Sequence, residues 1–158
     1  MSDSFRAVTP WSPARPETLV VCCSDGRWHA QMTEFVHSEV SDRADLYCVP
    51  GGPAVLDPWN STFDEARVFE QSMRLFAEHH QISGIWLIAH QGCAWYRVKH
   101  PHLETSAILK RQLADLQRGK QILLERHPNY DVRLVFAELD GQAVNFRDCT
   151  NEPQSVSA

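Results

Sequence analysis

The sequence has no apolar run approaching the roughly 18 residues a membrane-spanning helix needs, so no membrane partner is expected. It has no excess of positive charge either. Fifteen Lys and Arg stand against 20 Asp and Glu, for a net charge of −5 and an isoelectric point near 5.9. A nucleic-acid partner needs a basic footprint for its phosphates, and none is present. The N-terminus, Met1 to Arg6, lacks the charged and apolar regions of a signal peptide, so the expected compartment is the cytoplasm. There is no internal repeat and no low-complexity segment. Nor is there an even set of cysteines. Cys22, Cys23, Cys48, Cys93 and Cys149 make five, which argues against a disulfide framework and for buried thiols or metal ligands.

What is there suits one domain of ordinary size. A chain of 158 residues, 43% hydrophobic and 22% charged, buries a core without staples. Eight histidines keep metal chemistry in view. Residues 1–17 carry Pro10, Pro13 and Pro16 at three-residue spacing around Trp11, which suits an extended, polyproline-like arm. Such an arm is either a loose tail or a strap across a partner subunit. Residues 18–147 form the expected domain, and 148–158 a frayed polar tail.

Within the domain, Thr18 to Cys23 is a nearly continuous apolar run, the mark of a strand buried on both faces. A short helix is expected from Trp28 to about Ser38, and a second strand over Asp45 to Val49, stopped by a Pro50-Gly51-Gly52-Pro53 loop. Thr62 and Glu65 have capping-box spacing. The helix behind them carries Phe63, Ala66, Phe69, Met73, Phe76 and Ala77 on one face. A third strand, Ile85 to Ala89, leads into a loop holding His90, Cys93, Trp95, Tyr96, His100 and His102. A long helix follows from Glu104 to about His127, with Ile108, Leu109, Leu113, Leu116, Ile122 and Leu123 inward and Gly119 weakening it. Val132 to Leu139 is a fourth strand. Asp140-Gly141 then turns into an antiparallel edge strand over Ala143 to Phe146.

Alternating strands and helices define an α/β fold of three layers, a mostly parallel central sheet with helices on both faces. The order 2-1-3-4, plus the C-terminal edge strand, makes strands one and three neighbours. A crevice then opens at their carboxyl ends. Cys23 ends one strand, and His90 and Cys93 follow the other, so topology brings them together. Two thiolates and an imidazole are good ligands for a tetrahedral zinc ion and leave one position for water, substrate or a fourth side chain. Asp25 is the candidate for that position, or for a hydrogen bond to a water there, and Arg27 is spaced to hold it ionised and off the metal.

Cys23-x-Asp25-x-Arg27 followed by His90-x-x-Cys93 resembles the β-class carbonic anhydrases, from about Thr18 to Phe146 in order of elements. The resemblance implies one zinc ion per subunit on Cys23, His90 and Cys93, with Asp25 and Arg27 as the catalytic dyad. It also implies reversible hydration of carbon dioxide to bicarbonate by zinc-bound hydroxide, in a homodimer or higher homo-oligomer. The chain departs from the family at Ala94, where a glycine is usual, and at bulky Trp95 and Tyr96. It also departs in the Pro50 to Pro53 loop and at Leu75, which takes the place of a tyrosine offered to the active site. Those changes leave two alternatives open: a related zinc hydrolase of carbon disulfide or carbonyl sulfide, or a non-catalytic zinc-binding protein on the same scaffold.

Other residues read more plainly. Cys22 points to the opposite face of its strand from Cys23 and is a buried thiol; Cys48 and Cys149 are packing or surface residues. His79 and His80 are expected in solvent. His100 and His102 are either proton shuttles or surface histidines, and Trp28 either packs the first helix or lines the pocket. A cysteine phosphatase needs an arginine six positions past its thiol, and neither Cys22 nor Cys23 has one.

Overall fold

In the computed structural model, residues 4–58, 60 and 63–152 are described. Five strands are present: β1 (Thr18–Cys23), β2 (Asp45–Val49), β3 (Gly84–His90), β4 (Asp131–Asp140) and β5 (Ala143–Asp148). They form one sheet in the order β2-β1-β3-β4-β5, parallel except for β5, which returns antiparallel along β4. Strand periodicity sorts the apolar run of β1 between two cores. Leu19 and Val21 face α2 (Phe63–Leu75) and α4 (Thr105–Arg126), where Phe69, Met73, Leu116 and Leu123 pack on them. Val20 and Cys22 face α1 (His29–Phe35) and its continuation, against Met32 and Val36. Full burial of each such aliphatic side chain is worth about 1.5–3 kcal/mol, so β1 is the anchor of both layers. Among the described residues no helix is long and apolar enough to cross a membrane.

Several local expectations need correction. The first helix ends at Phe35 and widens into a π-helical turn over Val36–Val40. The Pro50 to Pro53 segment is more than a loop: after the turn it winds into a buried 3-10 helix, Gly52–Leu56. Gly52 has φ +55°, and a Cβ there would lie 2.8 Å from the Cys23 nitrogen and 2.9 Å from the Cys22 carbonyl carbon. Only glycine lets this segment lie directly on the end of β1. Thr62 and the Phe63 side chain lie outside the described residues, so the capping box and that contact are not placed.

On α4 the inward face is Ile108, Gln112, Asp115, Leu116, Gly119 and Leu123, while Leu109 is exposed. Gly119 has a packing role, since a Cβ there would meet Leu56 at 3.0 Å and Leu87 at 3.3 Å. His80 is not simply solvated, because its Nδ1 lies 2.6 Å from the Asp45 carboxylate. The segment after Phe146 is not frayed at its start. β5 runs to Asp148, the Cys149 nitrogen donates to the Leu134 carbonyl (2.8 Å), and Gln117 Nε2 on α4 donates to the Cys149 carbonyl (2.9 Å). Residues 153–158 lie outside the described residues.

Candidate metal centre

The carboxyl ends of β1 and β3 meet as their parallel pairing requires, and they bring Cys23, His90 and Cys93 together. One ligand atom from each lies within 4.8 Å of the other two. All three side chains are buried, at 7%, 1% and 2% exposure. His90 ends β3. Cys93 comes three residues later, at the N-cap of α3 (Ala94–Lys99), a short helix inside what the sequence presents as a loop.

The donor atoms are prepared for a ligand. His90 Nδ1 lies 2.9 Å from the Gln91 carbonyl and donates to it, which leaves Nε2 as the lone-pair nitrogen. That Nε2 is buried without a hydrogen-bond partner, a costly arrangement unless something else uses the lone pair. The Cys23 and Cys93 sulfurs are 3.8 Å apart. Two sulfurs on one tetrahedral ion, each at about 2.3 Å, lie about 3.8 Å from one another. The residues therefore fit a thiolate- and imidazole-liganded ion in both chemistry and spacing. A hydrogen bond from Cys93 holds the Cys23 thiol down to about 4, and backbone N–H groups at Asp25 and Gly51 add to it. The same contact, followed by burial, pushes Cys93 up. A cation between the two sulfurs would relieve the repulsion of two thiolates this close.

Surrounding groups fix this geometry. Gln112 Nε2, buried on α4, donates to the His90 carbonyl at 2.8 Å. The Trp28 ring packs on the His90 imidazole, with centroids 4.8 Å apart, which settles its place at the site rather than in α1 alone. Ala54, Tyr96 and Ile108 are buried around the two thiols, with Trp95 and Leu103 beside them. Tyr96 donates from its hydroxyl to Asp115 at 2.8 Å, and Arg111 forms an ion pair with the same carboxylate at 3.2 Å. Burial raises Asp115 above the usual carboxylate range. Gln112 and the ion pair of half-exposed Arg111 with buried Asp115 were missed in the sequence, where the only signal was polar residues at inward α4 positions and the four-residue spacing of Arg111 and Asp115.

Asp25 and Arg27 stand at the same strand end. Arg27 grips the carboxylate with Nε to Oδ1 at 3.0 Å and Nη2 to Oδ2 at 2.6 Å, and its backbone nitrogen adds a bond of 3.1 Å. These contacts hold Asp25 down at about 2. Arg27 Nη2 also reaches the Gly92 carbonyl at 3.4 Å, tying the dyad to the loop between His90 and Cys93. Asp25 is not among the three clustered ligands. His100 and His102 stand just beyond α3, outside that cluster, with ring centroids 6.5 Å apart. Leu75 is on the last turn of α2, 55% exposed. Since α2 runs back toward the start of β3, that turn lies at the opposite end of the sheet and does not wall the site.

No family model matches the sequence, and no curated protein matches it. The fold has clear counterparts among solved structures. The β-carbonic anhydrase CafA of Aspergillus fumigatus aligns over 89% of this chain and 78% of its own, with a TM-score of 0.56 at 12% identity. A structure from a study of two tetrameric β-carbonic anhydrases of Sordaria macrospora aligns over 84% and 80%, with a TM-score of 0.54 at 14% identity. The Coccomyxa β-carbonic anhydrase, solved with acetazolamide, aligns over 86% and 74%, with a TM-score of 0.54 at 12% identity. The protein thus has a β-carbonic-anhydrase-like α/β fold, divergent in sequence.

Proposed function

We propose that the protein is a zinc-dependent carbonic anhydrase that interconverts carbon dioxide and bicarbonate, with Asp25 and Arg27 as its working dyad. The observation that carries this reading is the convergence of three buried donor atoms beside that dyad, on this fold. Cys23 and Cys93 would hold one zinc ion through Sγ and His90 through Nε2. The bond from Nδ1 to Gln91 fixes the required tautomer. Bound zinc supplies an acidified water as the nucleophile toward carbon dioxide.

The chain's own residues do the rest. Arg27 keeps Asp25 ionised and turned to its own guanidinium, so the carboxylate is a hydrogen-bond acceptor for a metal-bound water and not a metal ligand. Release of Arg27 would free Asp25 to close the fourth position, which makes the pair an on/off element. Trp28 and Tyr96 keep bulk water from His90 and the thiols. The working unit is the domain that starts at Thr18 and runs through β5 to the Cys149 contacts on β4 and α4, in a homodimer or higher homo-oligomer, with 1–17 as an arm. Among the described residues the cysteines are free, which suits a reducing cytoplasm.

Stopped-flow hydration of carbon dioxide by zinc-loaded protein, at neutral and alkaline pH, tests the proposal. A zinc-dependent rate is expected. No such rate at either pH overturns it. Sulfide release from carbon disulfide would then favour the hydrolase, and bound zinc with neither activity a binding protein.

A further inference from the structure

A second pair of thiols stands on the other face of β1. Cys22 and Cys48 are register partners on the parallel strands β1 and β2, and their sulfurs touch at 3.4 Å. Register neighbours in one sheet have Cα atoms about 4.8 Å apart, inside the range of about 4.4–6.8 Å that a disulfide spans. The two thiols differ in access: Cys48 is exposed and Cys22 buried. A cavity of about 190 Å³ is lined by both residues, together with His29, His37 and Arg43. It has room for several waters, and so for a peroxide molecule. We propose that Cys22 and Cys48 form a peroxide-reactive dithiol site, in which Cys48 is the attacking thiol and Cys22 the resolving one.

The chemistry closes on hydrogen peroxide or a small organic hydroperoxide. Cys48 Sγ attacks one peroxide oxygen and the O–O bond breaks. The departing oxygen takes up the proton Cys48 gave away and leaves as water or alcohol. Cys22 Sγ then attacks the Cys48 sulfenic sulfur. The S–S bond forms, the S–O bond breaks, and a water leaves with the Cys22 proton. The two thiols lose two electrons and the peroxide gains them. The hydrogen bond from Cys22 and the field of His29 lower Cys48 to about 6, which suits the exposed sulfur to the first step. The bond would staple β1 to β2 one residue before Cys23, on the face away from the proposed metal. The site does not rest on the carbonic anhydrase reading.

The test is peptide mapping of the zinc-loaded protein after one equivalent of hydrogen peroxide. Cys22 and Cys23 share a tryptic peptide, so fragmentation between them must place the bond. The expected product joins Cys22 to Cys48, two hydrogens lighter than the thiols and reversed by dithiothreitol. Iodoacetamide labelling of Cys48 should fall about tenfold on oxidation and recover on reduction. C48S, changed at an exposed position, should give no such product while keeping its zinc. Cys48 found as sulfinic acid alone, still alkylated, or joined to Cys23 overturns the proposal. The map reads that bond whether or not zinc binds, so failure here and failure of the metal reading are separate results.

Discussion

Gly52→Ala should be a strongly damaging single-methyl change in the loop that backs β1. Two costs add. Alanine at φ +55° sits in the left-handed region, worth about 1–2 kcal/mol. Its Cβ would also lie 2.8 Å from the Cys23 nitrogen and 2.9 Å from the Cys22 carbonyl carbon. Those atoms belong to β1, which is paired with β2 on one side and β3 on the other, so neither can yield cheaply. The combined loss should be about 3–5 kcal/mol, a large part of a typical domain's stability. With a urea m-value of about 2 kcal/mol/M, the midpoint should fall by about 1.5–2.5 M. Two other glycines calibrate this. Gly92 has φ +68° with nothing within 4 Å of its Cβ position, so Gly92→Ala should carry only the conformational cost, a fall of about 0.5–1 M. Gly26 has neither feature, and Gly26→Ala should leave the midpoint nearly unchanged. Urea unfolding with chelator present keeps metal linkage out of the comparison. If Gly52→Ala unfolds no earlier than Gly92→Ala, the account of this contact is wrong.

Asp25→Ala should lower carbon dioxide turnover on the order of a hundredfold or more while zinc stays bound; unchanged turnover would make Asp25 structural. Gln112→Met keeps side-chain length but removes the donor to the His90 carbonyl, so zinc affinity should fall about tenfold by chelator competition. A fall of less than twofold would show that Gln112 does not orient His90. Asp148 is held below the usual carboxylate range by hydrogen bonds from Thr150, side chain first and backbone second. A depressed carboxyl stabilises above its unfolded value of 3.8 and loses that contribution as pH falls below it. Asp148→Asn should therefore be less stable than the parent at pH 7, with the gap narrowing below about pH 4. A gap independent of pH would refute the cause.

The sheet was legible because β1 and β3 are apolar enough to demand burial on both faces, and because Asp140-Gly141 marks the return into β5. The cluster of Cys23, His90 and Cys93 was legible from the two strand ends taken together, since parallel neighbours must present their carboxyl ends together. What surrounds it was less so. The helix α3 spans only Ala94–Lys99, too short for periodicity to show, and a cysteine caps it. Gln112 and Asp115 were hidden because an inward helix face is sought through its apolar residues, whereas these are buried by tertiary hydrogen bonds. The place of Leu75 in the chain suggests a site position, but the direction of α2 carries it to the far end of the sheet. The Cys22–Cys48 contact needed the register of β1 against β2, which no local pattern states.

Zinc K-edge X-ray absorption on the metal-loaded protein, beside Cys93→Ser, tests the central claim most directly. The account predicts about one zinc per chain, with two sulfur neighbours at about 2.3 Å and lighter atoms at about 2.0–2.2 Å. The variant should lose stoichiometric zinc. A parent that binds no zinc, a shell without two sulfurs, or a Cys93→Ser protein that keeps the same shell would contradict it.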